Sequence, residues 1–197
     1  MIDVSKIVDL QSLNIIEWHN KLIEKEVEFP WKFIEENNKW NFCLWHEEDI
    51  ARVVNIDLEK IVAAKRKIDK FNQERNNAME KIDEWVLSQV KYSANLKDLP
   101  LHSETPGMMI DRLSILGLKK YHMDEQAYRK DVDDKHKAMC YNKSKILYEQ
   151  IFDLSTCLEN VLFKIEQNQL QFKVYRQLKM YNDPNLNPEL YKKGYEK

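Results

Sequence analysis

Glycine is almost missing from this chain. Its three glycines, Gly107, Gly117 and Gly194, stand far apart in 197 residues. A dinucleotide fingerprint or a phosphate-binding loop needs clustered glycines, because the backbone there must come close to the phosphates. Both are excluded, and a many-stranded sandwich with Gly-rich turns is disfavoured. Cysteine is scarce too: Cys43, Cys140 and Cys157 form no CxxC pair. Such a scattered, odd-numbered set fits a reducing compartment and small packing residues rather than a disulfide framework. Neither sign of charge is in surplus. Lys+Arg 31 against Asp+Glu 33 gives a net charge of -2, so no basic field draws the chain to nucleic acid or anionic lipid. No apolar run is long enough to span a bilayer. The opening Met1-Ile2-Asp3-Val4-Ser5 lacks the basic and apolar regions of a signal peptide. The expected location is the cytoplasm.

What is present is helical periodicity. Ser12 to Val27 places Ile15, Trp18, Leu22 and Ile23 at helical spacing, and Phe29-Pro30 breaks it. A second helix is predicted from Trp31 to Val54, with Phe42, Trp45, Ile50 and Val53 inward, and Asn55 or Asp57 as side-chain cap of the third. That third helix has the clearest seam: Ile61, Ala64, Ile68, Phe71, Arg75, Ala78, Ile82 and Trp85 step by three and four, ending near Tyr92. Thr105-Pro106 reads as N-cap and first helical residue of the next helix. It runs to about Met123 and is apolar nearly all round, the pattern of a helix at a bundle's centre. Ser114 and Gly117 give it a small face where a neighbour can approach. A long charged helix is predicted from Asp124 to Gln167, with Val132, His136, Met139, Ile146, Leu154, Val161 and Ile165 inward. A short helix from Phe172 to Tyr181 and an irregular tail over about 182–197 follow. The prediction is one all-α domain over 1–197, a helical bundle with two long helices packed around a buried central helix.

Four groups of polar residues stand where apolar ones are expected. Arg75 interrupts the third helix's seam and needs a carboxylate such as Asp111 or Asp49, or a bound anion, unless its stem lies along the seam with its head in water. His46, Asp49 and Arg52 share a helix face bordered by Trp45 and Val53; His122-x-x-Glu125 and Asp133-x-x-His136 repeat the His/acid spacing. Such pairs suit proton transfer, metal ligation or plain helix-side pairing. His102, Glu104, Thr105 and Gly107, with Asp111 and Arg112 a turn further on, surround a helix start, where free amides and a positive dipole end suit an anion. An ordinary cap with a structural salt bridge is the plainer reading. Lys173 to Tyr181 interleaves basic and aromatic residues as phosphate or nucleic-acid sites do, but without a basic surplus elsewhere it reads as a packing helix with a solvated basic face.

The segments FCLWHEEDIAR, KRKIDKFNQERNNAMEKID, LHSETPGMMIDRLSILGLKKYHM and KVYRQLKMYNDPNLNPELY resemble the bacterial domain of unknown function DUF4254, over about Asn41 to Tyr191. SETPG-x-x-IDRLSIL is the most specific part. The resemblance implies a compact helical protein of similar length. It transfers no catalytic residue, because the family has no established activity. Members of the family are often encoded near glycosyltransferases for surface glycans, so the resemblance implies a role near glycan synthesis. A weaker echo, Ile68-Asp69 through Glu74-Arg75, is similar to the first helix of helical chorismate mutases, which bind a dicarboxylate with arginines.

Three readings of function follow. In the first, an enzyme or binding protein takes an anionic small molecule such as a phosphosugar or nucleotide sugar. Arg52, Arg75 and Arg112 then hold the anion with Glu104, Thr105 and Gly107 at the helix start, and His46, Asp49, Asp111 and His122 are the catalytic candidates. In the second, a non-catalytic adaptor docks on a glycosyltransferase or other protein through exposed aromatics. In the third, His46, Asp49, Asp111 and His122 serve a metal-dependent hydrolase. The spacing alone assigns no metal ligand and no cofactor. Arginines paired internally beside a wide apolar face favour the adaptor; a closed polar pocket with unpaired cations favours the anion site.

Overall fold

The structure, a computed structural model, describes residues 2–21, 27–91, 98–178 and 183–191. Among these are α1 (Val4–Asn20), α2 (Trp31–Ala51), α3 (Leu58–Ser88), α4 (Pro106–Tyr128), α5 (Asp134–Glu166) and α6 (Pro188–Tyr191). The fold is all-α; among the described residues, extended pairing is limited to one parallel bridge, Leu101 to Gln171. α4 packs against α1, α2, α3 and α5, which makes it the central helix. Its composition explains this: Met109, Ile110, Leu113 and Leu118 are all buried, and they point in different directions around the helix. The main core joins Ile7 of α1, Ile34 of α2, Ile82 and Val86 of α3, Ile110 and Leu113 of α4, and Leu158 and Ile165 of α5. A smaller apolar cluster, Ile15, Trp18, Phe42 and Leu118, lies toward the other end of α1 and α2. No helix among the described residues is long and apolar enough to cross a membrane.

The departures from the expected boundaries have local causes. α1 begins at Val4 rather than Ser12, because the Asp3 carboxylate accepts the Ser5 and Lys6 amides at 3.0 and 3.4 Å. It ends at Asn20, and Leu22 and Ile23 lie outside the described residues. Asp57 stands at the N-cap of α3, but its side chain makes no capping bond. α3 ends at Ser88, and Tyr92 lies outside the described residues. The single helix expected from Asp124 is two. α4 continues to Tyr128, and α5 starts afresh where Asp133 accepts the His136 amide at 2.7 Å. Between them Arg129 grips Asp131 through Nε and Nη2 at 3.0 and 2.6 Å. Phe172 to Leu178 is not helical: Phe172 is buried, Val174 half-buried, and Lys173 and residues 175–178 are exposed. The Lys179 to Tyr181 portion of that expectation lies outside the described residues, as do Asn182 and Gly194. Ile50 and Val53, expected inward on α2, are exposed, as are Met139 and Ile146 on α5.

α2 instead turns Asn37, Asn38 and Asn41 inward, against polar positions of α4. Asp111 Oδ1 accepts from Asn37 Nδ2 and Asn41 Nδ2, each at 2.9 Å. Asn38 Nδ2 donates to Ser114 Oγ at 2.9 Å. Arg75 Nε of α3 faces the same Asp111 oxygen at 3.7 Å, an ion pair too long to be a hydrogen bond. This buried polar layer sets the register of α2 and α3 on α4.

The start of α4 is held by a second buried carboxylate. Gly107 N–H donates to Asp83 Oδ1 at 2.6 Å, and Met108 N–H donates to Thr105 Oγ1 at 3.2 Å. Burial pushes the Asp83 carboxyl up to about 6, against the opposing pull of the Thr105 hydroxyl and the Gly107 amide. Between its ordinary 3.8 and about 6, the folded chain therefore keeps a proton that the unfolded chain has released. The stability this group contributes is full below about pH 4 and is lost as pH rises through about 6, on the order of 3 kcal/mol. Urea unfolding is expected to show that decline, and Asp83→Asn is expected to flatten it. Equal slopes in the two chains would rule Asp83 out as its source.

Candidate metal centre

Three imidazoles from three helices meet beside the smaller apolar cluster. His19 is in the last turn of α1, His46 follows Phe42 and Trp45 on α2, and His122 lies below Leu118 on α4. One ring nitrogen of each is within 4.8 Å of those of the other two. His19 Nδ1 is 2.7 Å from the Ile15 carbonyl. A carbonyl only accepts, so Nδ1 carries the proton and Nε2 keeps its lone pair. His122 Nδ1 is 2.7 Å from Glu125 Oε2, and the carboxylate imposes the same tautomer. Both Nε2 atoms are buried and have no hydrogen-bond partner. Burial first, then the neighbouring His19 and His122 rings, lower the His46 pKa.

Aromatic rings fix the imidazole planes. Tyr121 stacks on His19 with centroids 4.1 Å apart, and Trp45 stacks on His122 at 4.8 Å and 7°. Phe42 meets His19 and His46 edge-on at 5.0 and 4.5 Å. The donor chemistry suits a borderline divalent ion such as Zn2+. Ligand nitrogens around a tetrahedral zinc lie roughly 3.4 Å apart, so modest ring rotations would close the present spacing. An orienting acceptor behind two of the rings and an apolar shell around them are the supports that metal-ligating histidines need.

Of the three histidines, His122 lines a groove of about 380 Å³ between α4 and α5, together with Trp45, Lys119, Lys143, Ile146 and Leu147 among others. A second groove of about 670 Å³ shares Lys119 and Gln150 with it and reaches His102, Glu104 and Arg112. No ion pair of the described residues engages Lys119 or Lys143.

The predicted site residues separate into several places. His46 and His122 come together; Asp49 is exposed and is not part of their cluster, and it acts on His46 only through its charge. Asp111 is eleven residues up α4 from His122, roughly 16 Å along the axis, in the polar layer with Arg75. The expected four-residue set of His46, Asp49, Asp111 and His122 is therefore not one cluster. Arg52 pairs with Glu48 on the surface, and Arg112 with Glu104 at 2.6 Å. Thr105 caps α4, and the anion at the start of α4 is the chain's own Asp83, bonded to Gly107. Asp133 and His136 form a helix cap rather than a proton-transfer pair. Arg176, in the basic and aromatic segment, is matched by Glu80 and Glu84 of α3. His19 was not anticipated. The usable signal was its place one residue after Trp18 and four after Ile15, on the edge of a buried stripe.

No curated protein and no solved structure matches the chain. The family model described as "Protein of unknown function (DUF4254)" matches residues 31–174, a span that includes His46 and His122 but not His19. That match covers most of the sequence, and the chain belongs to the DUF4254 family.

Proposed function

We propose that the protein is a metal-dependent hydrolase whose ion is held by His19, His46 and His122. The observation that carries this reading is the pair of buried, unpartnered Nε2 atoms of His19 and His122, which sit beside a third imidazole while their Nδ1 atoms are already engaged. Three neutral imidazoles are a ligand set of catalytic zinc, with a fourth position for water. A bound ion would supply a water acidic enough to ionise near neutral pH and would polarise a phosphoryl or carbonyl oxygen. The chain's own residues do the rest. Glu125 orients His122, Trp45 and Tyr121 cover two ring faces, and Lys119 and Lys143 draw an anionic substrate into the adjoining groove. An anionic small molecule of the phosphosugar or nucleotide-sugar class fits those two lysines, and a place in glycan synthesis follows the family resemblance.

Chelator-stripped protein is expected to take up stoichiometric Co2+ with the visible bands of a tetrahedral site. His19→Ala, His46→Ala and His122→Ala should each abolish those bands, and Glu125→Gln should weaken affinity about 10–100-fold. Turnover of a phosphosugar and nucleotide-sugar panel is expected only with metal, with Lys119→Ala acting mainly on KM. Absence of stoichiometric metal, or bands that survive loss of any one histidine, would overturn the reading. The adaptor reading has one observation in its favour: Arg52, Arg75 and Arg112 each face a carboxylate of the chain itself, while aromatic side chains of α5 are exposed.

A further inference from the structure

α5 packs on α4 and, less extensively, on α1, and no other helix of the described residues covers its opposite side. On that open side a single stripe runs Tyr141, Lys145, Tyr148, Phe152, Thr156, Glu159 and Phe163, with steps of three and four. All seven are exposed, and the four aromatics are 50%, 64%, 64% and 58% exposed in that order. Large apolar residues at regular helical spacing on an open face need a partner to leave water.

The stripe is complementary to itself when reversed. Taking Phe152 as centre, Lys145 and Glu159 are seven residues to either side, Tyr141 and Phe163 eleven, and Tyr148 and Thr156 four. Turning a second α5 end for end about Phe152 sets lysine against glutamate, tyrosine against phenylalanine, and Phe152 against its own copy. The whole helix shares this polarity. Residues 134–147 hold Lys135, Lys137, Lys143 and Lys145 against Asp134, whereas residues 148–166 hold Glu149, Asp153, Glu159 and Glu166 against Lys164. A parallel arrangement would oppose like charges; the antiparallel one opposes unlike charges along its length.

From these observations we propose that the chain forms a two-fold symmetric homodimer through antiparallel α5 helices, with the axis at Phe152. A two-fold interface uses the same patch on both copies, which is what a reversible stripe supplies. The stripe spans about 33 Å of helix. Its aromatics expose on the order of 100 Å² each, so eight of them bury roughly 800 Å². Lys145, Thr156, Glu159 and flanking residues bring this toward the ~1,200 Å² at which stable interfaces begin. Lys145 Nζ already lies 4.4 Å from the Tyr141 ring centroid, on the surface that would be covered. Ile146 and Leu147, which line the groove at His122, lie about a third of a turn or more around α5 from the stripe, so the dimer leaves that groove open. The inference does not depend on the metal reading.

Sedimentation velocity of the full chain over a concentration series is expected to show a monomer–dimer equilibrium. Phe152→Glu should give monomer throughout, with an unchanged helical circular dichroism spectrum because the residue is exposed. Lys145→Glu and Glu159→Lys should each weaken the dimer about tenfold or more. The double exchange should restore it, and an equimolar mixture of the two single variants should form a heterodimer, since each then presents the charge the other lacks. A chain that stays monomeric at high micromolar concentration overturns the proposal. So does a dimer that tolerates Phe152→Glu, or one in which the double exchange rescues nothing.

Discussion

Gly107→Ala is expected to cost about 3 kcal/mol or more, one of the largest effects available to a single methyl group in this chain. A Cβ at position 107 would stand 2.5 Å from the Met79 carbonyl oxygen and 2.9 Å from Asp83 Oδ1. The first neighbour is helical backbone, which moves only if α3 moves with it. Any separation of α3 from α4 also stretches the 2.6 Å bond from Gly107 N–H to Asp83 and weakens the partnering of a buried carboxylate. For a chain of this size the loss corresponds to a midpoint lowered by roughly 6–12 °C. Gly117→Ala is the internal control. Its Cβ would meet only Ile15 Cδ1, at 3.2 Å, the movable end of a side chain. Alanine also gains up to ~1 kcal/mol of helix propensity there. Thermal unfolding of both variants separates the two cases, and equal midpoints would mean that the α3–α4 contact is not as tight as its geometry.

Asp111→Ala is expected to destabilise the fold by about 3–5 kcal/mol. Removing the carboxylate strands the Asn37 and Asn41 amides that donate to it and leaves Arg75 facing no anion. Asn37 and Asn41 are buried, so water does not replace the lost acceptor cheaply. Arg75→Met should cost much less, about 1 kcal/mol, because its 3.7 Å approach is not a hydrogen bond and its side chain is partly exposed. Asp111→Asn should fall between them, since one amide oxygen still accepts. Urea titration decides the order: if Arg75→Met proves the more damaging, the layer is organised around the cation and not around the asparagine pair.

Much of the fold was legible because it is written in local periodicity. The near-continuous apolar surface of Pro106 to Leu118 announced a helix at the centre, and Thr105-Pro106 announced where it begins. Arg75 on an otherwise apolar seam called for an acid, and Asp111 was one of two named for it. The site was legible only in part. His46 and His122 stood out as polar residues beside buried positions, but the carboxylates grouped with them went elsewhere: Asp49 to the surface, Asp111 to another layer of the bundle. His19 escaped because it sits at the edge of its helix's stripe, where a histidine is unremarked until a second helix covers it. Phe172 to Leu178 departs from the expected helix for a related reason: its aromatic and basic residues suit a helix locally, but only Phe172 is buried against the bundle.

By itself the sequence determined the all-α class, the central position of α4, and the lack of any glycine loop for phosphate. Each of these depends on residues near one another along the chain, and the 3.6-residue turn converts their spacing into faces without outside help. The tertiary structure alone decided which faces meet. It brought His19, His46 and His122 within 4.8 Å of one another, and it filled the helix start at Gly107 with Asp83 from α3. Those outcomes depend on the register and crossing of whole helices, which the summed packing of the core sets and no single segment encodes.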